Sequence, residues 1–295
     1  MKRALSIAFA LAALASISRA RAEGSAAASN PPENPDHPKP EEPKKKLSYW
    51  DQGNPRVFVS SKIDAGPNYA KVQAAVGYGI PHWIWIGFEA FPITTTDFGA
   101  LYAGVRASIP FLDVAFGYRE NQAYRRTYLP ARDHHDLDEV HAFQDQSGPR
   151  ARYLTWELEV SGIAPLFGGY AIVAVNADKI LDGQPGMHVY EESARAIAAL
   201  PWIIETRLGY VYPFGHDDFI KVGFLAEEVF LPGRPKNVIR VGPGGSITLT
   251  DHLELLGFVT VAVSSPDSLG FFLGAFGIGG LRYKWATGDP TPHFP

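Results

Sequence analysis

The chain has 295 residues and no cysteine, which excludes a disulfide framework, a thiolate metal site and a lipid-accepting cysteine. Its formal charge is -4, from 27 basic and 31 acidic residues, so no basic footprint marks nucleic acid as a partner. With 18 Phe, 13 Tyr, 6 Trp and 29 Gly, the composition weighs toward sheets and away from a helix-rich soluble enzyme.

In chain order, Lys2 and Arg3 precede an apolar run, Ala4 to Ala15, which is short for a membrane span. Ala20-Arg21-Ala22 gives a small-x-small cleavage pattern. Residues 1–22 are therefore expected to be a cleaved signal peptide, with an uncleaved anchor as the alternative. Residues 23–47 interleave Pro31, Pro32, Pro35, Pro38, Pro40 and Pro43 with charges and end in Lys44-Lys45-Lys46. Such a segment buries too little apolar area to order itself and is expected to be a disordered linker.

From residue 48 onward, period-two alternation recurs. Leu101, Ala103, Val105, Ala107 and Ile109 oppose Tyr102, Gly104, Arg106 and Ser108. Val72, Ala74, Val76 and Tyr78 oppose Lys71, Gln73, Ala75 and Gly77. Leu154, Trp156, Leu158 and Val160 oppose Thr155, Glu157, Glu159 and Ser161. The expected strands are 56–64, 69–80, 82–92, 98–109, 111–123, 151–162, 168–178, 187–198, 202–212, 219–230, 238–249, 253–264 and 270–284.

These segments are about ten residues long, which suits a tilted membrane strand, whereas soluble strands average about five to six. Glycine and charge occupy one face, and aromatics gather near segment ends: Trp83, Trp85, Phe111, Tyr118, Trp202, Tyr210, Tyr212, Phe271 and Trp285. The expected fold is an all-β, antiparallel transmembrane β-barrel over residues 48–286, with 287–295 as a C-terminal tail. A soluble β-sandwich is the competing architecture. A barrel with both ends on one side needs an even strand number, so one of the thirteen segments is wrong or split. Residues 187–198, with Glu191-Glu192-Ser193-Ala194-Arg195, read nearly as well as helix. Twelve strands are expected, with fourteen as the alternative. Short connections at Ile80-Pro81-His82, Ile109-Pro110-Phe111 and Thr250-Asp251-His252 should be periplasmic turns, and 124–150, 179–187 and Ser264 to Asp267 should lie outside the cell.

On these features the chain resembles Gram-negative outer-membrane β-barrel proteins as a class, over the signal peptide and about residues 48–286. The stretches Pro266-Asp267-Ser268-Leu269-Gly270 and Arg282-Tyr283-Lys284-Trp285-Ala286-Thr287-Gly288 look like the end strand of an uncharacterised family and imply no activity. Many such barrels end on an aromatic insertion signal. Here Phe294 is penultimate and lies outside the alternation.

Charges are cheap on a hydrated inner face and costly toward lipid. Glu89, Arg106, Arg119, Glu157, Glu159, Glu205, Arg207, Lys221, Glu227, Glu254 and Arg282 are expected to line the lumen, with Arg240 and Lys284 on the same face. The segment from Arg132 to His141 gathers imidazoles and carboxylates, and His134, His135, Asp138 and His141 are metal candidates there. A solvated loop is the plainer reading. Three pairs could serve a rim hydrolase: His188 with Ser193, His216 with Asp217 and Asp218, and His252 with Asp251. None stands in a recognisable signature.

The leading functional expectation is a passive, porin-like channel for small solutes or ions, with the lumen charges as filter. The alternative is a closed barrel that binds envelope partners through its outer loops and proline-rich tail, and a rim hydrolase ranks third. No cofactor and no enzymatic activity are expected, and the partners are outer-membrane lipid and, for a channel, its solutes.

Overall fold

The computed structural model describes residues 53–144, 149–215 and 219–288. The expected signal peptide and linker, the residues after Gly288, and His216, Asp217 and Asp218 lie outside the described residues.

In chain order the strands are β1 (Arg56–Gly66), β2 (Tyr69–Ile80), β3 (Ile84–Thr95), β4 (Phe98–Ile109), β5 (Leu112–Ala123), β6 (Leu129–Pro130), β7 (Arg152–Leu166), β8 (Gly169–Ile180), β9 (Met187–Glu191), β10 (Ala196–Ala199), β11 (Trp202–Phe214), β12 (Ile220–Phe230), β13 (Val238–Thr248), β14 (Leu253–Ser264) and β15 (Phe276–Ala286). Twelve of them close into one antiparallel barrel in the order β1-β15-β14-β13-β12-β11-β8-β7-β5-β4-β3-β2. β1 closes the ring on β15, with Lys62 opposite Lys284 and Asp64 opposite Arg282. Every backbone edge of the wall is thereby paired, which is what closure achieves.

The twelve expected strands are present, and residues 187–198 are the surplus thirteenth segment. They fold into β9 and β10, which join β6 in a separate three-stranded sheet. The physical reason is visible in the burial pattern. Wall strands alternate between exposed and covered positions, as β15 does along its whole length. In contrast, Val189, Tyr190, Ala196, Ile197 and Ala198 are all buried, so both faces of this segment are covered. The first residues of the segment expected at 270–284 form a short helix, Gly270–Gly274, and the strand begins at Phe276.

Because neighbouring strands are antiparallel, each connection can be assigned to one end of the barrel. The connections at 81–83, 110–111, 167–168 and 249–252 lie at the end where β1 begins and β15 finishes. The long connections 124–151, 181–201, 231–237 and 265–275 all lie at the opposite end, here called the loop end. The long connections thus share one end, as expected from the sequence, together with the short turns 67–68 and 96–97.

The loop-end connections fold over the barrel mouth as a cap. One face of the small sheet, through Val189, Ala196 and Ala198, packs on wall residues Ala123, Tyr153, Ile180, Ile203, Val229 and Val238. The other face, through Tyr190 and Ile197, meets Leu129, Val140 of the helix Leu137–Gln144, and Leu269 and Leu273. Ile197 is fully buried between the two layers. Removing such a side chain costs about 2–5 kcal/mol when the site cannot collapse.

Candidate functional site

The wall alternates as the sequence predicts, and the eleven named charges all fall on the face opposite the exposed apolar residues. Glu89 is buried between exposed Phe88 and Ala90. Arg106 lies between exposed Val105 and Ala107, and Arg282 between exposed Leu281 and Tyr283. Inside, these side chains gather into ion-paired groups.

Arg106 on β4 is the centre of the first group. Its Nε donates to Glu89 Oε2 at 2.8 Å and its Nη2 to Glu159 Oε2 at 3.2 Å, while Nη1 pairs with Asp113. Gln73 donates to the same Glu89 oxygen at 2.5 Å. In the second group, Arg119 on β5 meets Glu157 at 3.2 Å, Asp178 at 2.9 Å and Glu191 at 3.2 Å. Glu191 belongs to the cap, so this arginine ties the cap to the wall. The remaining Glu191 oxygen accepts from Ser193 Oγ at 2.6 Å and from the Ala194 amide at 2.7 Å.

The third group joins Arg207, Glu205, Glu227 and Arg240. Arg240 is fully buried. Besides Glu227 it donates to the Gly274 carbonyl at 2.8 Å and the Arg195 carbonyl at 2.5 Å, both in loop-end connections. Arg119 and Arg240 stand five strands apart in a ring of twelve, so the cap is held from nearly opposite walls. In the fourth group Arg282 donates to Asp64 at 2.7 Å, and Glu254 lies 3.9 Å from both Arg282 and Lys284. Among the described residues Lys221 makes no ion pair within 4.0 Å.

The metal candidates do not converge. His134 Nδ1 reaches the Pro266 carbonyl at 2.7 Å, and His141 is exposed on its helix. No group of three or more metal-ligating side chains occurs among the described residues. His135 instead enters a cluster inside the cap. Its Nδ1 lies 3.1 Å from Glu139 Oε2, its Nε2 lies 3.3 Å from His188 Nδ1, and its amide donates to Asp267 at 2.9 Å. Arg234 donates to His188 Nδ1 at 3.2 Å and pairs with Asp267.

Arginine only donates, so His188 Nδ1 is an acceptor and this ring is neutral with its proton on Nε2. His135 must then donate from Nε2. Burial lowers the proton affinity of His135, while Asp267 and Glu139 raise it. Burial, with Arg234 and His135 close by, holds the His188 pKa down at about 4.

Of the expected hydrolase pairs, His188 and Ser193 take different partners, Arg234 and Glu191 respectively. His252 Nδ1 meets the Lys284 carbonyl at 3.0 Å. Two expected girdle residues, Trp83 and Trp85, are buried, and Trp85 packs edge-on against Phe58 with ring centroids 5.6 Å apart. Sequence reasoning missed Asp64, Asp113 and Asp178. Their signal was present, because each occupies a polar position of an alternating segment. Arg234, Asp267 and Glu139 had no such signal, since cap loops have no periodicity.

No protein-family model and no curated protein matches the chain. Solved structures with a similar course include a chain from work on the in-meso crystallization of membrane proteins, at 8% identity and TM-score 0.40, covering 78% of this chain and 83% of that one. Another is a loop L8 deletion mutant of OmpT, an outer membrane protein of Vibrio cholerae, at 10% identity and TM-score 0.34, covering 80% and 100%. The class is set by the chain's own hydrogen bonding: a closed, twelve-stranded antiparallel barrel.

Proposed function

We propose that the chain is an exported outer-membrane barrel, closed by its cap and presenting the cap outside the cell. The observation that supports membrane insertion is the outward face. Val57, Val76, Phe88, Leu101, Leu158, Leu208, Phe224, Ile239 and Leu281 project from nine of the twelve wall strands, and Phe88 is 67% exposed. A soluble monomer rarely exposes so large a continuous apolar surface. Strands of 11 to 15 residues are long enough to cross a bilayer with tilt.

Closure is supported by the paired interior. A passive channel calls for a continuous wet pore, whereas a closed barrel calls for lumen charges engaged with one another. The Arg106, Arg119, Arg207 and Arg240 groups fit the second description. The reading is therefore a non-enzymatic structural or adhesion barrel whose cap is the surface offered to envelope partners.

Reconstitution tests the membrane part. Mature protein refolded with lipid vesicles should show a heat-dependent shift in gel migration and protease resistance across the strands. A chain that stays monomeric and soluble without detergent would contradict it.

A further inference from the structure

We propose that the inner wall at Lys62 and Lys284 is a binding site for a small oxyanion, of the phosphate or carboxylate class. The register supplies the first observation. Four strands carry a row of alternating sign across the inner face: Glu254 opposite Arg282, Arg282 opposite Asp64, and Asp64 opposite Lys71. That row is self-satisfied, with Arg282 to Asp64 at 2.7 Å.

The next inward row on the same strands breaks the rule. Lys284 stands directly opposite Lys62, and Lys62 directly opposite Gln73. Like charges directly opposite on one face are destabilising. Here the pleat fixes both lysines on the inner face, and moving either out would require a register slip that turns the whole strand over.

Partnership is the second observation. The wall arginines 106, 119, 207, 240 and 282 each meet a carboxylate within 3.2 Å. Among the described residues Lys62 has no ion pair within 4.0 Å. Lys71, one row away, spends its ammonium on the Phe91 ring at 3.6 Å. Lys284 has only Glu254 at 3.9 Å.

A wall that pairs these five arginines with carboxylates thus leaves two lysines, adjacent across β1 and β15, to a third party. Lysine suits that part, since it binds a compact anion as a mobile point charge with three donors. The site is reachable, as the Lys284 side chain is 34% exposed. Its inward aim excludes lipid headgroups, so the ligand is a water-borne anion.

The test is titration calorimetry of the refolded protein in detergent, with inorganic phosphate as probe, on wild type, Lys62→Gln, Lys62→Arg, Lys284→Gln and the outward-facing control Lys179→Gln. Wild type should bind saturably. Lys62→Gln and Lys284→Gln should each weaken binding about tenfold or more, while Lys62→Arg and Lys179→Gln retain it. A heat-dependent gel shift on every variant establishes that each is folded. Absence of saturable binding by wild type overturns the proposal, and so does binding that survives both glutamine changes. The result is independent of whether the barrel conducts, because the site rests on strand register and on the lysines' lack of close carboxylate partners.

Discussion

Tyr102 illustrates how single residues shape the interior. Its ring lies inward, stacked on Phe91 with centroids 4.5 Å apart, and it crosses a floor made by two glycines. A Cβ at Gly117 would stand 2.7 Å from Tyr102 Cζ, 2.5 Å from the Ala103 carbonyl and 2.8 Å from the Gly104 Cα. Two of those three contacts are backbone, so a rotamer change cannot relieve them. Gly117→Ala should therefore destabilise the barrel by about 1–3 kcal/mol, the usual cost of overpacking. Urea unfolding followed by tryptophan fluorescence measures this, and an unchanged midpoint would show that the floor is not tight. The glycine-rich inner face was legible in the sequence as Gly104 opposing Val105. The aromatic lying on it was not, because alternation gives the face of a side chain and not the direction in which it leans.

The cap is the element whose identity the sequence concealed. Wall strands announced themselves by alternation, since one face meets apolar surroundings and the other meets charge. Residues 187–199 are covered on both faces, so their pattern is continuous and reads as strand or helix alike. The same lack of period hid Arg234 and Asp267, which meet His135 and His188 only through loop packing.

That cluster predicts how the cap responds to acid. His188 faces His135 on the loop before the helix, Arg234 on the β12–β13 connection and the more distant Asp133. Its pKa falls from 6.5 to about 4 on folding, so the unfolded state binds the proton more readily. Stability contributed by neutral His188 is complete above about pH 6.5 and is lost progressively as pH falls toward 4. His135 is also lowered and acts with the same sign. Asp267, whose pKa burial raises, acts with the opposite sign just above the usual aspartate range. Amide hydrogen exchange in 131–141 and 187–199 should be faster at pH 5 than at pH 7 after correction for intrinsic rates, with the wall strands unchanged. Equal protection of the cap at both pH values would contradict this assignment.

At the scale of the whole molecule, two patterns divide the work. The outward apolar face supports residence in a bilayer, and the inward charges support closure by binding one another and the cap. Breaking one partner of such a buried pair is costly, about 3–5 kcal/mol, and Arg119 and Arg240 concentrate that cost where wall and cap meet. Barrel, strand number and inward charges were legible because a closed wall with one apolar and one charged face enforces one strict period. The engagement of those charges was not, since pairing depends on which strands become neighbours around the ring. The most direct test of closure is single-channel current across a planar bilayer holding the refolded mature protein, with insertion confirmed by the heat-dependent gel shift. The account predicts a silent bilayer at neutral pH. Reproducible conductance steps from the unmodified protein would contradict it and restore the passive channel.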